Sequence, residues 1–148
     1  MTTDMHSLRV ADQGDSAAIA TLLDQLGYPT TPEDVADRLK YWVSEPHSMV
    51  LAACAGDQII GFVGVHAIPH LERTGWWGRI TALVVAEHVR HRGVGRMLVR
   101  SAETAARDWG CLSMEVTSSR VRHDAHVFYR ALGYQDQCVR SGRFAKSL

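Results

Sequence analysis

Apolar positions along the chain recur with two different periods, and the switches between them divide it into elements. Ser7 to Ala11 reads as a short strand. From Gly14 to Leu26 the apolar residues Ile19, Leu22, Leu23 and Leu26 fall three or four apart, the stripe of an amphipathic helix, and Gly27 stops it. Tyr28-Pro29-Thr30-Thr31-Pro32 is a loop whose Thr31 caps a second helix, with Pro32 at its first position. Val35, Leu39 and Trp42 or Val43 give that helix an inward face, and it ends near Ser44-Glu45-Pro46. Met49 to Ala55 and Ile59 to Ile68 are apolar runs of strand length around Gly56-Asp57, a hairpin signal. Arg79 to Ala86 is a further strand. A helix from Gly93, a strand from Leu112 to Thr117, a helix from about Asp124 to Leu132 and two terminal strands complete the order. No repeat or linker interrupts it, and 148 residues suffice for one core, so a single domain over residues 1–148 is expected.

Composition narrows the function classes. Lys plus Arg equals Asp plus Glu at 16 each, so the formal charge is zero, which argues against nucleic acid as partner. Basic residues concentrate instead between Arg90 and Arg107 and between Arg120 and Arg143. Cys54, Cys111 and Cys138 are too few and too scattered for a disulfide framework, which suits reduced thiols and a cytoplasmic location. The eight histidines match no metal-ligand spacing, and no metal site is expected. The N-terminus, with Asp4 and His6 and no apolar core, is not a secretory signal, and the longest apolar runs are far too short to span a membrane.

The chemistry concentrates in Ile80 to Gly95, I-T-A-L-V-V-A-E-H-V-R-H-R-G-V-G. An apolar, β-branched run gives way to a basic loop, then to glycines at 93 and 95, and Val94, Met97, Leu98, Ala102, Ala105 and Ala106 continue at helical spacing. The first turn of a helix leaves backbone N–H groups unpaired at the positive end of its dipole, so strand, glycine loop and helix together make an anion cradle. Arg90, Arg92 and Arg96 surround it. The R-x-x-G-x-G hexapeptide by itself fits a solvated turn as well as a phosphate site.

A second segment separates the two readings. His126 to Tyr134 is H-V-F-Y-R-A-L-G-Y, preceded by the strand-like L-S-M-E-V-T. Together the two segments resemble the GCN5-related N-acetyltransferase (GNAT) superfamily. Its central strand, loop and helix are matched by Ile80 to Ala106, and its later helix by Ala125, Phe128, Tyr129, Gly133 and Tyr134. The opening L-R-V-A-D-Q-G-D-S-A-A-I-A-T-L-L-D-Q-L-G-Y is similar to the family's first strand and helix.

The resemblance implies an α/β (α+β) fold: a mixed, mostly antiparallel sheet of six or seven strands, splayed at its central strands and flanked by about four helices. It implies acetyl transfer from acetyl-coenzyme A, as co-substrate, to a primary amine by direct attack. The pyrophosphate is then expected on the amides of His91, Arg92, Gly93, Val94, Gly95 and Arg96, with Arg90 and Arg92 adding charge. Leu83, Val84 and Val85 match positions that offer backbone groups to the pantetheine arm, and the Val85 N–H is expected to hold the thioester carbonyl. Tyr129 matches the general acid that protonates the departing thiolate. A free phenol titrates near 10 and a thiol near 8.5, so that transfer is uphill by roughly 2 kcal/mol unless hydrogen bonding or a lowered pKa offsets it.

Two departures from the family stand out. The asparagine that often contacts the cofactor seven residues before the tyrosine is Arg122 here; it cannot accept a hydrogen bond but can reach a phosphate, with Ser118 and Ser119 as substitutes. The glutamate or histidine that often serves as base on the central strand is Thr81. An amine of pKa about 10 is neutral in only about one molecule per thousand at pH 7, a penalty of roughly 4 kcal/mol. His66, His70, Glu72 and Glu87 are the candidates to relieve it through water.

For the acceptor, Tyr28, Trp42, Trp76 and Trp77 can form an aromatic wall, in a groove completed by the turn Pro69 to Trp77 and a final hairpin around Arg140 to Phe144. A small-molecule or peptide amine fits equally, and core packing or a homodimer interface explains the same aromatics. Two other function classes remain: a non-catalytic acyl-coenzyme A sensor, suggested by Thr81, and a phosphate-binding regulatory module using the Arg90 loop.

Overall fold

The computed structural model describes residues 5–148; Asp4, part of the N-terminal reading above, lies outside them. The described chain forms two compact units, one ending at Val116 and one spanning Thr117–Leu148.

The first unit is built on a five-stranded sheet in the order β1 to β5: β1 (His6–Val10), β2 (Ser48–Ala55), β3 (Gln58–Pro69), β4 (Trp76–Val85) and β5 (Cys111–Val116). The first three pairings are antiparallel and β4 runs parallel to β5. The hairpin at Gly56-Asp57 joins β2 to β3 as expected, with Gly56 at φ 60°.

Three helices belong to this unit. A 3-10 turn at Gln13–Asp15 leads into α1 (Ser16–Leu26), so the expected helix from Gly14 begins in the tighter form. Gly27 ends α1 in the left-handed region at φ 101°. The Thr31 hydroxyl accepts the Asp34 N–H at 3.1 Å and caps α2 (Pro32–Ser44), which buries Val35 and Leu39. The third, α3 (Val94–Asp108), buries Val94, Leu98, Val99, Ala102 and Ala106.

Sheet alternation assigns the helices to opposite faces. A Cβ placed on Gly61 would meet Leu98, and one on Gly78 would meet Ala106, so these positions lie under α3. A Cβ on Gly64 would meet Trp42, so that position lies under α2, which packs with α1. The core on the α3 face is closed: Val63 and Val65 are fully buried, as is Leu98 across from them. Gly61 is glycine because the Val84 carbonyl oxygen would stand 2.8 Å from any Cβ there, holding β3 and β4 in close approach.

The second unit carries α4 (His123–Ala131), which Gly133 terminates at φ 94°. The sheet has five strands instead of six or seven, because the two expected terminal strands do not form among the described residues. After Gly133 the segment Q-D-Q-C-V-R-S-G-R lacks a β-branched alternation. Its backbone is turned by local bonds instead, Cys138 N–H to the Asp136 carboxylate at 2.9 Å and Arg140 N–H to the Gln137 carbonyl at 2.9 Å. Val139 and Phe144 are left exposed, and the expected hairpin around Arg140 to Phe144 is absent.

At the start of the sheet, the Arg9 guanidinium grips Asp15 with two bonds of 2.7 Å, and the same carboxylate accepts the Asp12 N–H at 2.9 Å. These bonds hold the Asp15 carboxyl below the usual carboxylate range, against the opposing effect of burial. A depressed folded pKa means the stabilisation is present above the unfolded value near 4 and is lost as pH falls through the folded one. Because Arg9 is nearly half exposed, Asp15→Asn is expected to cost about 1–2 kcal/mol at pH 7. In urea unfolding across pH, the difference from the unsubstituted protein should shrink below pH 4; a pH-independent difference would contradict the assignment.

Candidate active site

The pairing of β4 ends unevenly on its two sides. Toward β3 it continues to Val85, whereas toward β5 it stops at the pair Ile80–Val116. Among the described residues, Thr81 to Val85 therefore have no strand partner on the β5 side. The Ala86 N–H donates to the Ile60 carbonyl at 2.8 Å, and backbone groups on an antiparallel strand alternate in direction, so Val84 also turns toward β3. Leu83 and Val85 turn the other way, into the gap. The Val85 carbonyl accepts from Arg90 Nε at 3.3 Å, in line with that direction. Of the three residues expected to present backbone groups, Leu83 and Val85 do so, while Val84 is buried and committed to β3.

Past β4 a 3-10 turn at Glu87–Val89 leads to the basic loop. His91 adopts φ 65°, and Gly93 caps α3 at φ 81°, a conformation glycine takes without strain. The first intrahelical bond runs from the Met97 N–H to the Gly93 carbonyl at 3.0 Å, so the amides of Val94, Gly95 and Arg96 precede the helical ladder. Among the described residues no side chain caps them, and the first turn holds no acid. Arg90, His91, Arg92 and Arg96 are all exposed around this end. An anion is what such a helix terminus lacks, and the donor set fits a pyrophosphate.

In the second unit, Gly133 reverses the chain so that the Tyr134 N–H bonds the Tyr129 carbonyl at 3.1 Å and the Tyr134 ring lies 5.8 Å from that of Tyr129. This return is the physical content of the F-Y-x-x-x-G-Y pattern. Burial pushes the Tyr129 phenol above its ordinary value, and the positive charge of Arg122 works in the opposite sense. The lowered pKa that would ease proton donation is therefore not present; Arg122 is the group that favours the phenolate. Arg122 stands at the N-cap of α4, and the Ser119 carbonyl accepts from both the Arg122 N–H and His126 Nε2. The Ser118 hydroxyl is buried with no hydrogen-bond partner among the described residues.

The four expected aromatic acceptor contacts do not form one wall. Trp76 and Trp77 are consecutive on a strand and so point to opposite faces. Trp77 lies on the α2 face with its ring 6.3 Å from His70, whereas Trp76 lies on the α3 face, 4.7 Å from His47. Trp42 shares the α2 face above Gly64, and Tyr28 is exposed in the loop between α1 and α2.

On that face β4 also bulges. Gly64 pairs with Ala82 and Val65 with Ile80, leaving Thr81 as the extra residue, its hydroxyl donating to the Gly64 carbonyl at 3.4 Å. Among the described residues no cluster of three His, Cys, Asp or Glu is arranged to hold a metal ion, and no helix is long and apolar enough to cross a membrane. The three cysteines are free.

Comparison with known proteins assigns this geometry to a family. The family model described as Acetyltransferase (GNAT) family matches residues 16–134. An aminoalkylphosphonate N-acetyltransferase of Salmonella typhimurium is 32% identical over 104 residues, 70% of this chain and 66% of that relative, so the match spans just under two thirds of it. The aminoglycoside N(6')-acetyltransferase type 1 of Stenotrophomonas maltophilia is 28% identical over 141 residues, 92% of this chain and 90% of the relative. Among solved structures, the aminoglycoside N-acetyltransferase AAC(6')-Iy in complex with CoA superposes with a TM-score of 0.84 over 97% of this chain and 95% of that one; at 16% identity it carries the fold alone. The chain belongs to the acetyltransferase (GNAT) family, the acetyl-coenzyme A-dependent N-acetyltransferases.

Proposed function

We propose that residues 1–148 act as one N-acetyltransferase domain that moves an acetyl group to the primary amine of a small molecule in the cytoplasm. Acetyl-coenzyme A supplies the activated acyl group when bound. The observation that carries the reading is the coincidence of an uncapped, acid-free α3 N-terminus with a β4 edge whose Leu83 and Val85 backbone groups have no strand partner.

The amides of His91 to Arg96 and the guanidinium groups of Arg90 and Arg92 would hold the pyrophosphate, with Ser119 and Arg122 as further contacts from the second motif. The outward N–H groups of Leu83 and Val85 would orient the pantetheine arm, and that of Val85 would donate to the thioester carbonyl oxygen. Tyr129 would hold its phenolic proton through the physiological range and deliver it from Oη to the sulfur. Burial makes that donation harder by itself, and the nearby Arg122 charge offsets part of the cost. The acyl-coenzyme A sensor remains the second reading because Thr81 offers no base. The two relatives named above act on small amines of opposite character, a phosphonate and an aminoglycoside, and a broad amine panel therefore tests the class.

Three outcomes follow. Thiol release in the presence of acetyl-coenzyme A should depend on at least one small primary amine of the panel; binding without release for every amine would favour the sensor. Tyr129→Phe should lower kcat by about 10²-fold while the dissociation constant for acetyl-coenzyme A, read by calorimetry, changes less than about threefold. Gly93→Val, which forces a β-branched residue into the left-handed region at a cost of about 1–2 kcal/mol, should weaken acetyl-coenzyme A binding by about tenfold with helix content unchanged. Unaltered affinity in that variant would remove the cradle from the site.

A further inference from the structure

The family position for a base is occupied by Thr81, yet the α2 face of the sheet carries a polar row one step away. Ser48, His66, Arg79 and Glu115 are successive register partners across β2, β3, β4 and β5. At one end of the row the Ser48 hydroxyl and His66 Nδ1 are 2.6 Å apart; at the other the Arg79 guanidinium donates to the Glu115 carboxylate. Gly64, bonded by Thr81 and covered by Trp42, is two residues from His66 on the same face, a separation of about 7 Å along a strand.

The acceptor has to come from this face. Across the sheet, under α3, the corresponding positions Val63, Val65 and Ile80 are sealed, whereas His66, Trp77 and Arg79 are half-buried and Thr81 is exposed.

Of the four candidates that the sequence offers for this role, three stand elsewhere. His70 Nδ1 and the Glu72 carboxylate hold one another at 2.9 Å in the connection between β3 and β4, and Glu87 is exposed beyond the end of β4. His66 alone lies on the open face of the central strands with a fixed ring.

We propose, on the acetyltransferase reading above, that His66 is the proton acceptor for the incoming ammonium and that Ser48 is its positioning residue. The nearly buried Ser48 hydroxyl both donates and accepts, so it can bond Nδ1 whether or not that nitrogen carries a proton, and the ring keeps its orientation through a protonation cycle. With Nδ1–H donated to Ser48 Oγ, Nε2 presents its lone pair toward the α2 face. One proton passes from the ammonium to Nε2, directly or through one water, and the amine nitrogen keeps the electron pair with which it attacks. The imidazolium then returns that proton to bulk water. The charged groups sharing the face are Arg79, paired with Glu115, and beyond them the His70–Glu72 pair; α2 contributes Trp42 and, at its end, Glu45, whose carboxylate accepts from Tyr41.

The test uses the full chain, an amine that supports thiol release, and variants His66→Gln and Ser48→Ala. His66→Gln should lose about 10²-fold in kcat/KM near neutral pH, and the deficit should narrow as pH rises toward the pKa of the amine, where the acceptor arrives already neutral. Its affinity for acetyl-coenzyme A should be unchanged. Independently of turnover, nitrogen-15 NMR of the imidazole should find neutral His66 protonated at Nδ1, and Ser48→Ala should abolish that preference while lowering kcat several-fold. A loss in His66→Gln that is equal at every pH, an unchanged pH profile, or a neutral ring protonated at Nε2 would each overturn the assignment. Absence of thiol release from the unsubstituted protein with every amine would overturn the acetyltransferase reading itself, an outcome distinct from failure at His66.

Discussion

The structure turns on one interrupted pairing. β4 keeps β3 along its whole length but loses β5 after Ile80, and a strand cannot leave N–H and C=O groups unpartnered without giving them to water or to a ligand. The backbone groups of Leu83 and Val85 face that gap. The β3 side stays intact because Gly61 lets the Val84 carbonyl come close, so the separation is confined to one edge of β4 instead of dissolving the sheet. Five residues past the end of β4 the chain reaches Arg90 and the basic loop, and α3 begins with three amides that no side chain among the described residues caps. Two sets of unsatisfied backbone donors in one unit, with arginines around one of them, make a surface suited to a ligand that is anionic at one end and amide-like at the other.

The same sheet divides labour between its faces. Under α3 the positions are sealed by Leu98, Val99 and Ala102, which keeps β3, β4 and α3 a rigid block. Under α2 Gly64 is covered by Trp42 and bonded by Thr81, and the polar side chains gather beside them. Alternation places Arg79 and Thr81 on one face with Ile80 on the other, and the one-residue insertion at Thr81 shifts the register so that His66 meets Arg79 in the row from Ser48 to Glu115. The chemistry of proton removal is moved from β4 to β3, away from a threonine that cannot perform it.

Much of this was legible in the residues. Helical stripes, the Thr31-Pro32 cap, the Gly56-Asp57 hairpin and the left-handed glycines at 27, 93 and 133 identify themselves because their causes are local. The anion cradle was readable for the same reason, since an amide cluster at a helix start needs no distant partner. The gap beside Leu83 was not, and it entered only through resemblance, because where a strand loses its neighbour is decided by a segment thirty residues away. The pairing of Trp76 with Trp77 as one wall fails on simple alternation, a rule the sequence does contain. The two terminal strands expected from the order of elements do not form among the described residues, since Gln135 to Gly142 offers turn chemistry where strands need alternating β-branched residues. The row through His66 depends on strand register, which a bulge shifts and composition does not reveal.

Which backbone amides face a ligand can be read residue by residue. In a titration of the nitrogen-15-labelled protein with acetyl-coenzyme A, the amides of Leu83, Val85, Val94, Gly95 and Arg96 should shift most, while Ala82 and Val84, turned toward β3, should move little. Large shifts at Ala82 and Val84 with Leu83 and Val85 silent, or no saturable change at the start of α3, would contradict the account.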